Sequence, residues 1–348
     1  MHATFRNVAA DTASYGKHSS GRSGCADGNF GAINSTSMRE IDIALPAYNC
    51  AVWLDDLMES ILQQGVDNWH LVARDDASTD STAARLAAWQ RRLGERMTIL
   101  PTGPNLGMIG NYDAVLAATS ARWVMFADPD DVWKLDKMTA EVAAMRGAEA
   151  AAGCDLPIVV CSDAEVVDNQ LRPIAASYWR WSRMNPRLCS RFHRLLVDCP
   201  VLSSTMMVNR ALLNASLPMG GAAACPDWWH ALVASALGRI ICLPQATIYY
   251  RRHSQNDSVV PTTVSLATAV TRIGSARGRV EQLVRQYSRQ ANGFLDRYQH
   301  LIIASDKRAL EAAGELPLLG PLGRRWNVVR HGLWFGSLLK NVGLMLLL

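Results

Sequence analysis

No two of the eight cysteines stand as a Cys-x-x-Cys pair, so the sequence offers no zinc-binding pattern. Two that fall in apolar runs, Cys161 and Cys242, read as small core residues of a protein in a reducing cytoplasm. No uncharged apolar run approaches the roughly 20 residues that a membrane-spanning helix needs. No Gly-x-Gly-x-x-Gly follows the first strand-like run, so a dinucleotide site lacks its fingerprint. A dominant charge is lacking too. A formal net charge of +4 over 348 residues is too mild for a dedicated nucleic-acid binder. The first 38 residues contain no apolar segment of a secretory signal. They are rich in Ser, Gly, Ala and Asn and are expected to be disordered, with Met38 as an alternative start of translation. What is present is a chain 49% hydrophobic and 19% charged, enough for a sizeable globular core.

From Ile41 onward, strand-like and helix-like stretches alternate. "IDIALPAYN" reads as a strand ending in a Pro/Asn turn. Leu54, Leu57, Met58, Ile61 and Leu62 share one helical face. "HLVARDD" reads as a strand, followed by a helix that carries Leu86 and Trp89 and is capped by Thr79 or Asp80. "MTIL", "WVMFA" and "PIVVCSD" are further strands, and "NLGMIGNYDAVLAAT" is a Gly-containing turn entering a helix. Past Asp163 the pattern loosens. "TMMVNRALL" gives a strand and a short helix, and "PDWWHALVASALG" a helix with Pro226 in its first turn. "IICLP" and "TIYYRRH" read as two strands, and helices follow from Pro261. The alternation predicts an α/β fold, a mostly parallel sheet flanked by helices.

In such sheets ligands bind beyond the carboxyl ends of the strands. Four polar clusters fall there: Pro46-Ala-Tyr48-Asn49, Asp75-Asp76, Asn105-Leu-Gly107 and Asp128-Pro-Asp130-Asp131. In the last, three carboxylates crowd the end of an apolar run, where they repel one another and resist desolvation. One reading is a solvated Asp/Pro turn. The other is a site for Mg²⁺ or Mn²⁺, which need only one or two carboxylates when phosphate oxygens supply the rest.

The stretches "ALPAYNCAVWLDDLMESILQQ", "LVARDDASTDST", "NLGMIGNYDAVLAAT", "WVMFADPDDVW", "PDWWHALVASALG" and "YYRRHSQN" together resemble the family 2 glycosyltransferases of the GT-A fold, and within them bacterial rhamnosyltransferase-like enzymes. The resemblance runs over residues 41–258. It implies that Pro46, Tyr48 and Asn49 hold the nucleotide base, that Asp76 hydrogen-bonds it, and that Asp75 supports the turn. It places Asp128 near the ribose and Asp130 on the metal, with Asp131 as the following, loop-orienting acid and a contact on the acceptor or sugar side. Asp227 matches the catalytic base, and His253 a late metal or diphosphate contact. The implied chemistry is inverting transfer of a sugar, plausible as rhamnose from dTDP-rhamnose, to a surface-polysaccharide or lipid-linked glycan, with Mg²⁺ or Mn²⁺ as cofactor. Rival functions are a non-catalytic glycan-binding protein of the same fold and a metal-dependent nucleotidyltransferase. "PAYNCAVWLDD" lacks the Gly-rich, basic loop the latter would need.

Each residue also has a plainer reading. Asp227 could be a first-turn acid favoured by the helix dipole. Trp228 and Trp229 could be core or could stack on sugar faces. His253 could be an ordinary histidine, and Asn105 and Asn111 turn and cap residues. The chain departs from the family pattern at Pro129, at Leu202-Ser-Ser204 and at Pro226, which puts the donor sugar's pocket in question. The expected domains are a 1–38 extension, a glycosyltransferase domain over 39–258 and a helical region over 259–348. The last 25 residues are basic and apolar, with Trp326, Trp334 and Phe335 interspersed. They read as a docked terminal helix or as an interfacial helix that holds a cytoplasmic enzyme on the inner face of the membrane.

Overall fold

The computed structural model describes residues 39–253 and 273–348. The expected extension over 1–38 and the end of the "YYRRHSQN" motif lie outside the described residues. The first half follows the expected alternation: β1 (Ile41–Ala47), α1 (Leu54–Leu62), β2 (Trp69–Asp75), α2 (Thr82–Leu93), β3 (Met97–Ile99), α3 (Gly107–Ala117) and β4 (Trp123–Phe126). β3, β2, β1 and β4 lie side by side in that order, all parallel. Their carboxyl ends therefore share one edge.

The period of two along β1 sorts its side chains between two cores. Ile41, Ile43 and Leu45 meet Leu57 and Met58 of α1 and Leu86 and Trp89 of α2. Ala44 faces the other way, with Val124 and Phe126 of β4 and Tyr112, Val115 and Leu116 of α3. At the start of α2 the capping residue is Ser81 rather than Thr79 or Asp80. Asp80 still serves the helix start, since its carboxylate accepts from Thr82 N at 2.9 Å and from Ala51 N at 3.1 Å.

The second half adds β5 (Val132–Trp133), α4 (Lys137–Ala152), β6 (Ile158–Val167), β7 (Pro173–Ala175), α5 (Tyr178–Trp181), α6 (Phe192–Leu195), β8 (Met206–Asn209), α7 (Arg210–Ser216), α8 (Pro226–Leu237) and β9 (Arg239–Arg251). β8 runs antiparallel between β4 and β6 and joins the parallel half to the rest of a nine-stranded sheet. "IICLP" and "TIYYRRH" are one strand, not two. β9 pairs with β6 along its length, and the register shifts around Asp163 where Pro244 and Gln245 have no partner. Proline cannot donate to a ladder, so the strand bulges there instead of ending.

α9 (Ile273–Tyr298), α10 (Ala304–Glu315), α11 (Pro321–His331) and α12 (Leu338–Leu347) complete the chain. Val284, Phe294, Leu310 and Leu316 join the same hydrophobic cluster as Trp229 of α8 and Val115 of α3. The C-terminal helices thus share a core with the sheet.

Candidate active site

Three adjacent parallel strands deliver their polar ends to one edge. β1 ends at Tyr48 and Asn49, β2 at Asp75 and Asp76, and β4 at the loop 127–131. Tyr48 is 51% exposed on this rim. Asn49 adopts a left-handed φ of 46° and ties the first two ends together. Its backbone N–H donates to Ser78 Oγ at 2.9 Å, and its side-chain oxygen accepts from Thr79 N at 2.8 Å. Pro46 is buried within β1, opposite Arg74. Asp75 accepts from Ser78 N at 3.2 Å and from the Ser78 hydroxyl, within its own turn.

Asp76 departs from its expected role. It is 2% exposed, and its carboxylate accepts from Leu106 N at 2.8 Å, from Gly107 N at 2.9 Å and from the Arg74 guanidinium. Here it anchors the start of α3 rather than presenting an oxygen to a base. The physical cause is the pair of unsatisfied N–H groups at a helix start, which attract an anion. Arg74 completes the strap by donating to Pro104 O and to Asn111 Oδ1, each at 3.0 Å. Asn105 and Asn111 act as turn and network residues, with Asn105 donating to Asp76 O at 2.9 Å.

The loop after β4 holds three carboxylates in three settings. Asp128 accepts from the hydroxyls of Tyr112 and Ser203. Burial, and then the charge of Asp130, push its pKa up to about 6. Asp131 is buried and accepts from Ser204 Oγ at 2.5 Å and from Arg251 N at 3.0 Å. Burial beside Asp130 and Asp128 raises it well above the usual carboxylate range. Asp131 therefore orients the loop. Its expected contact with acceptor or sugar is corrected, because both oxygens point into the fold. Asp130 keeps 23% of its side chain exposed, and His253 Nε2 lies 2.9 Å from its Oδ2. His253 in turn stacks on Trp53, with ring centroids 4.1 Å apart. Trp53 gave no signal in the sequence, since 200 residues of chain separate the partners.

Asp227 lies in the first turn of α8. Its carboxylate accepts from Trp228 N at 2.7 Å and also from the backbone of Ser203. Burial raises its pKa, and its charge is felt at Asp128. The stretch Leu202-Ser-Ser204, marked in the sequence only as a departure, thus reaches three acids at once: Asp128, Asp131 and Asp227. Trp229 is corrected to a core residue. It is 1% exposed, its indole N–H donates to Ser216 O at 3.1 Å, and it packs edge-on against Phe294. Trp228 is half-buried against Tyr287, with its N–H spent on Leu195 O.

Behind the acid loop, Lys137 and Glu141 form a fully buried pair at 2.7 Å. A groove of about 610 Å³ opens beside the loop, lined by Asp56, Glu59, Val132, Leu135 and Tyr249 among others and by none of the expected site residues. Among the described residues, no group of three or more His, Cys, Asp or Glu side chains is arranged to hold a metal ion. The pair Asp130 and His253 remains a fitting partial donor set. Mg²⁺ and Mn²⁺ accept one or two protein ligands when substrate phosphates complete the shell.

Residues 42–213 match the family Glycosyl transferase family 2. The sequence is similar to TuaG of Bacillus subtilis (strain 168), whose name assigns it to teichuronic acid biosynthesis, at 30% identity over 30% of this chain and 41% of that one. It is 23% identical to the Escherichia coli UDP-Glc:alpha-D-GlcNAc-diphosphoundecaprenol beta-1,3-glucosyltransferase WfgD, over 50% of this chain and 62% of WfgD. An uncharacterized glycosyltransferase of Haemophilus influenzae is 24% identical over 63% of this chain and 68% of its own length. Among solved structures, S. aureus TarS 1-349 in complex with UDP-GlcNAc aligns at TM-score 0.47 and 15% identity, covering 88% of this chain and 90% of TarS 1-349.

Proposed function

We propose, for a chain that carries a family 2 glycosyltransferase domain, that it moves a sugar from a nucleotide-sugar donor to a hydroxyl of a glycan acceptor, with inversion at the anomeric carbon. The observation that carries this reading is the placing of Asp227. It is held at a helix start by the Cys225 thiol and by backbone N–H groups, Trp228 N and Ser203 among them, is electrostatically coupled to Asp128, and is raised in pKa by burial. A carboxylate raised above its usual range is a stronger proton acceptor, matched to the weakly acidic hydroxyl it must activate.

In this reading the acceptor hydroxyl gives its proton to Asp227 and attacks from the face opposite the departing nucleoside diphosphate. Tyr48 and Asn49 form the rim on which the base rests, and Asp128 lies toward the ribose. Asp76 contributes by holding the 104–107 strap beside that rim. Asp130 and His253 would hold Mg²⁺ or Mn²⁺, which when bound offsets the charge growing on the leaving diphosphate. Asp131, pinned by Ser204 and by Arg251 N, fixes the loop that aims Asp130. Trp228 lines the approach to Asp227.

The finer reading takes a pyrimidine nucleotide-sugar as donor, dTDP-rhamnose by the resemblance of the motifs, and a lipid-linked glycan of a surface polysaccharide as acceptor. WfgD, by its name, uses UDP-glucose and a diphosphoundecaprenol-linked acceptor, which supports the acceptor class more than the donor sugar. The test is Asp227→Asn. Equilibrium binding of the nucleotide-sugar is expected to stay within about two-fold of wild type, while transfer falls by roughly 10²–10⁴-fold. Turnover at the wild-type rate would remove Asp227 from the role of base.

A further inference from the structure

The last two helices expose large apolar side chains in stripes. Along α11, Leu322, Trp326 and Val329 follow one another at spacings of four and three. At about 100° per residue these three lie within one narrow arc of the helix. Leu322 is 79% exposed and Trp326 65%. On α12, Leu338, Val342 and Leu346 repeat every four residues, with Leu338 79% and Leu346 74% exposed. The connection between the helices turns the other way. Leu333 is buried, and Trp334 and Phe335 pack on the core, so of the three aromatic residues of the tail only Trp326 faces out.

Charge selects the occupant of this face. No acidic residue follows Glu315, whereas Arg324, Arg325, Arg330 and Lys340 do. Arg324 is paired with Glu281 and Lys340 with Asp198, both toward the protein. Arg325 and Arg330 lie on opposite flanks of the α11 stripe, about 60° and 80° from Leu322 by the helical repeat. An apolar stripe with a tryptophan and flanking arginines is the pattern of a helix lying in a bilayer interface. A second copy of the same surface would set arginine flank against arginine flank with no carboxylate between them.

We propose that α11 and α12 form a docking face for an anionic phospholipid surface, with Leu322, Trp326 and Val329 of the first stripe entering the headgroup boundary between Arg325 and Arg330. The inference goes beyond the sugar-transfer reading and stands or falls separately from it. The full chain is spun with vesicles of phosphatidylcholine alone and of phosphatidylcholine mixed with phosphatidylglycerol. It is expected to pellet with the mixed vesicles and to stay in solution with the neutral ones. The variant Arg325→Gln/Arg330→Gln should bind the anionic vesicles about thirty-fold more weakly. The variant Leu322→Ser/Trp326→Ser/Leu338→Ser should lose at least about a hundred-fold. All five side chains are at least partly exposed, so both variants should keep the wild-type circular dichroism. Failure of the wild type to bind anionic vesicles overturns the proposal, as does wild-type binding by the apolar variant. Sedimentation analysis gives a further test. If the wild type is a dimer that the apolar variant splits into monomers, the face belongs to a second copy of the chain and the lipid proposal is wrong.

Discussion

His230 sits one turn beyond Asp227 on α8, fully buried, and its protonation should loosen the helix that carries the candidate base. Its Nδ1 lies 2.6 Å from Pro226 O, its ring meets Phe126 edge-on at 5.4 Å, and Nε2 is buried without a hydrogen-bond partner. Burial lowers its pKa from 6.5 to about 4. The folded protein therefore resists a proton that the unfolded chain accepts below pH 6.5. Stability from this group is fully present above 6.5 and is lost as pH falls toward about 4. The gap between those values is worth about 3 kcal/mol in all, lost at about 1.4 kcal/mol per pH unit. Replacing His230 by Asn keeps a donor for Pro226 O and removes the titration. Urea unfolding of both proteins, followed by tryptophan fluorescence at about pH 7.5, 5.5 and 4.5, isolates the effect because other titrations cancel in the difference. At pH 7.5 the variant should be the less stable, through lost packing against Phe126. The difference should shrink by about 1.4 kcal/mol per unit below 6.5. A difference that does not change with pH would mean that His230 titrates alike in the folded and unfolded chain.

Four more variants probe the support behind the acid loop. Lys137→Met leaves Glu141 charged and buried without its partner, and should cost about 3–5 kcal/mol in urea unfolding, most of it regained in Lys137→Met/Glu141→Leu. Ser204→Ala removes the hydroxyl that holds Asp131 and should cost about 2 kcal/mol of stability and lower kcat more than it raises the donor's KM, with Ser204→Thr restoring both.

The repeating half of the fold was legible because period-two strands and period-3.6 helices alternate cleanly from Ile41 to Phe126. The single strand β9 was not, because Pro244 reads as a stop when it is in fact a bulge. α4 escaped notice because its alanine-rich face carries little amphipathic contrast. At the site, the acids themselves stood out as charges at strand ends. Their partners did not. Ser203, Ser204, Tyr112 and Arg251 are ordinary residues until the sheet brings them to the loop. Trp229 shows the converse: beside the candidate base an aromatic residue fits core and sugar platform equally well in the sequence, and the burial of its indole against Phe294 decides for core. Asp76 reads in the sequence as a base-binding acid, but N–H groups of a helix start thirty and thirty-one residues later claim its carboxylate.

If the acid edge grips a nucleoside diphosphate through a divalent ion on Asp130, nucleotide affinity depends on that ion and on that carboxylate together. Titration calorimetry of UDP and dTDP into wild type and Asp130→Asn, each with and without Mn²⁺, tests it directly. Mn²⁺ is expected to tighten nucleotide binding to the wild type by at least about ten-fold and to have no such effect on Asp130→Asn. Nucleotide binding that is indifferent to Mn²⁺ in the wild type, or equally enhanced by it in the variant, would remove Asp130 from the role of metal ligand.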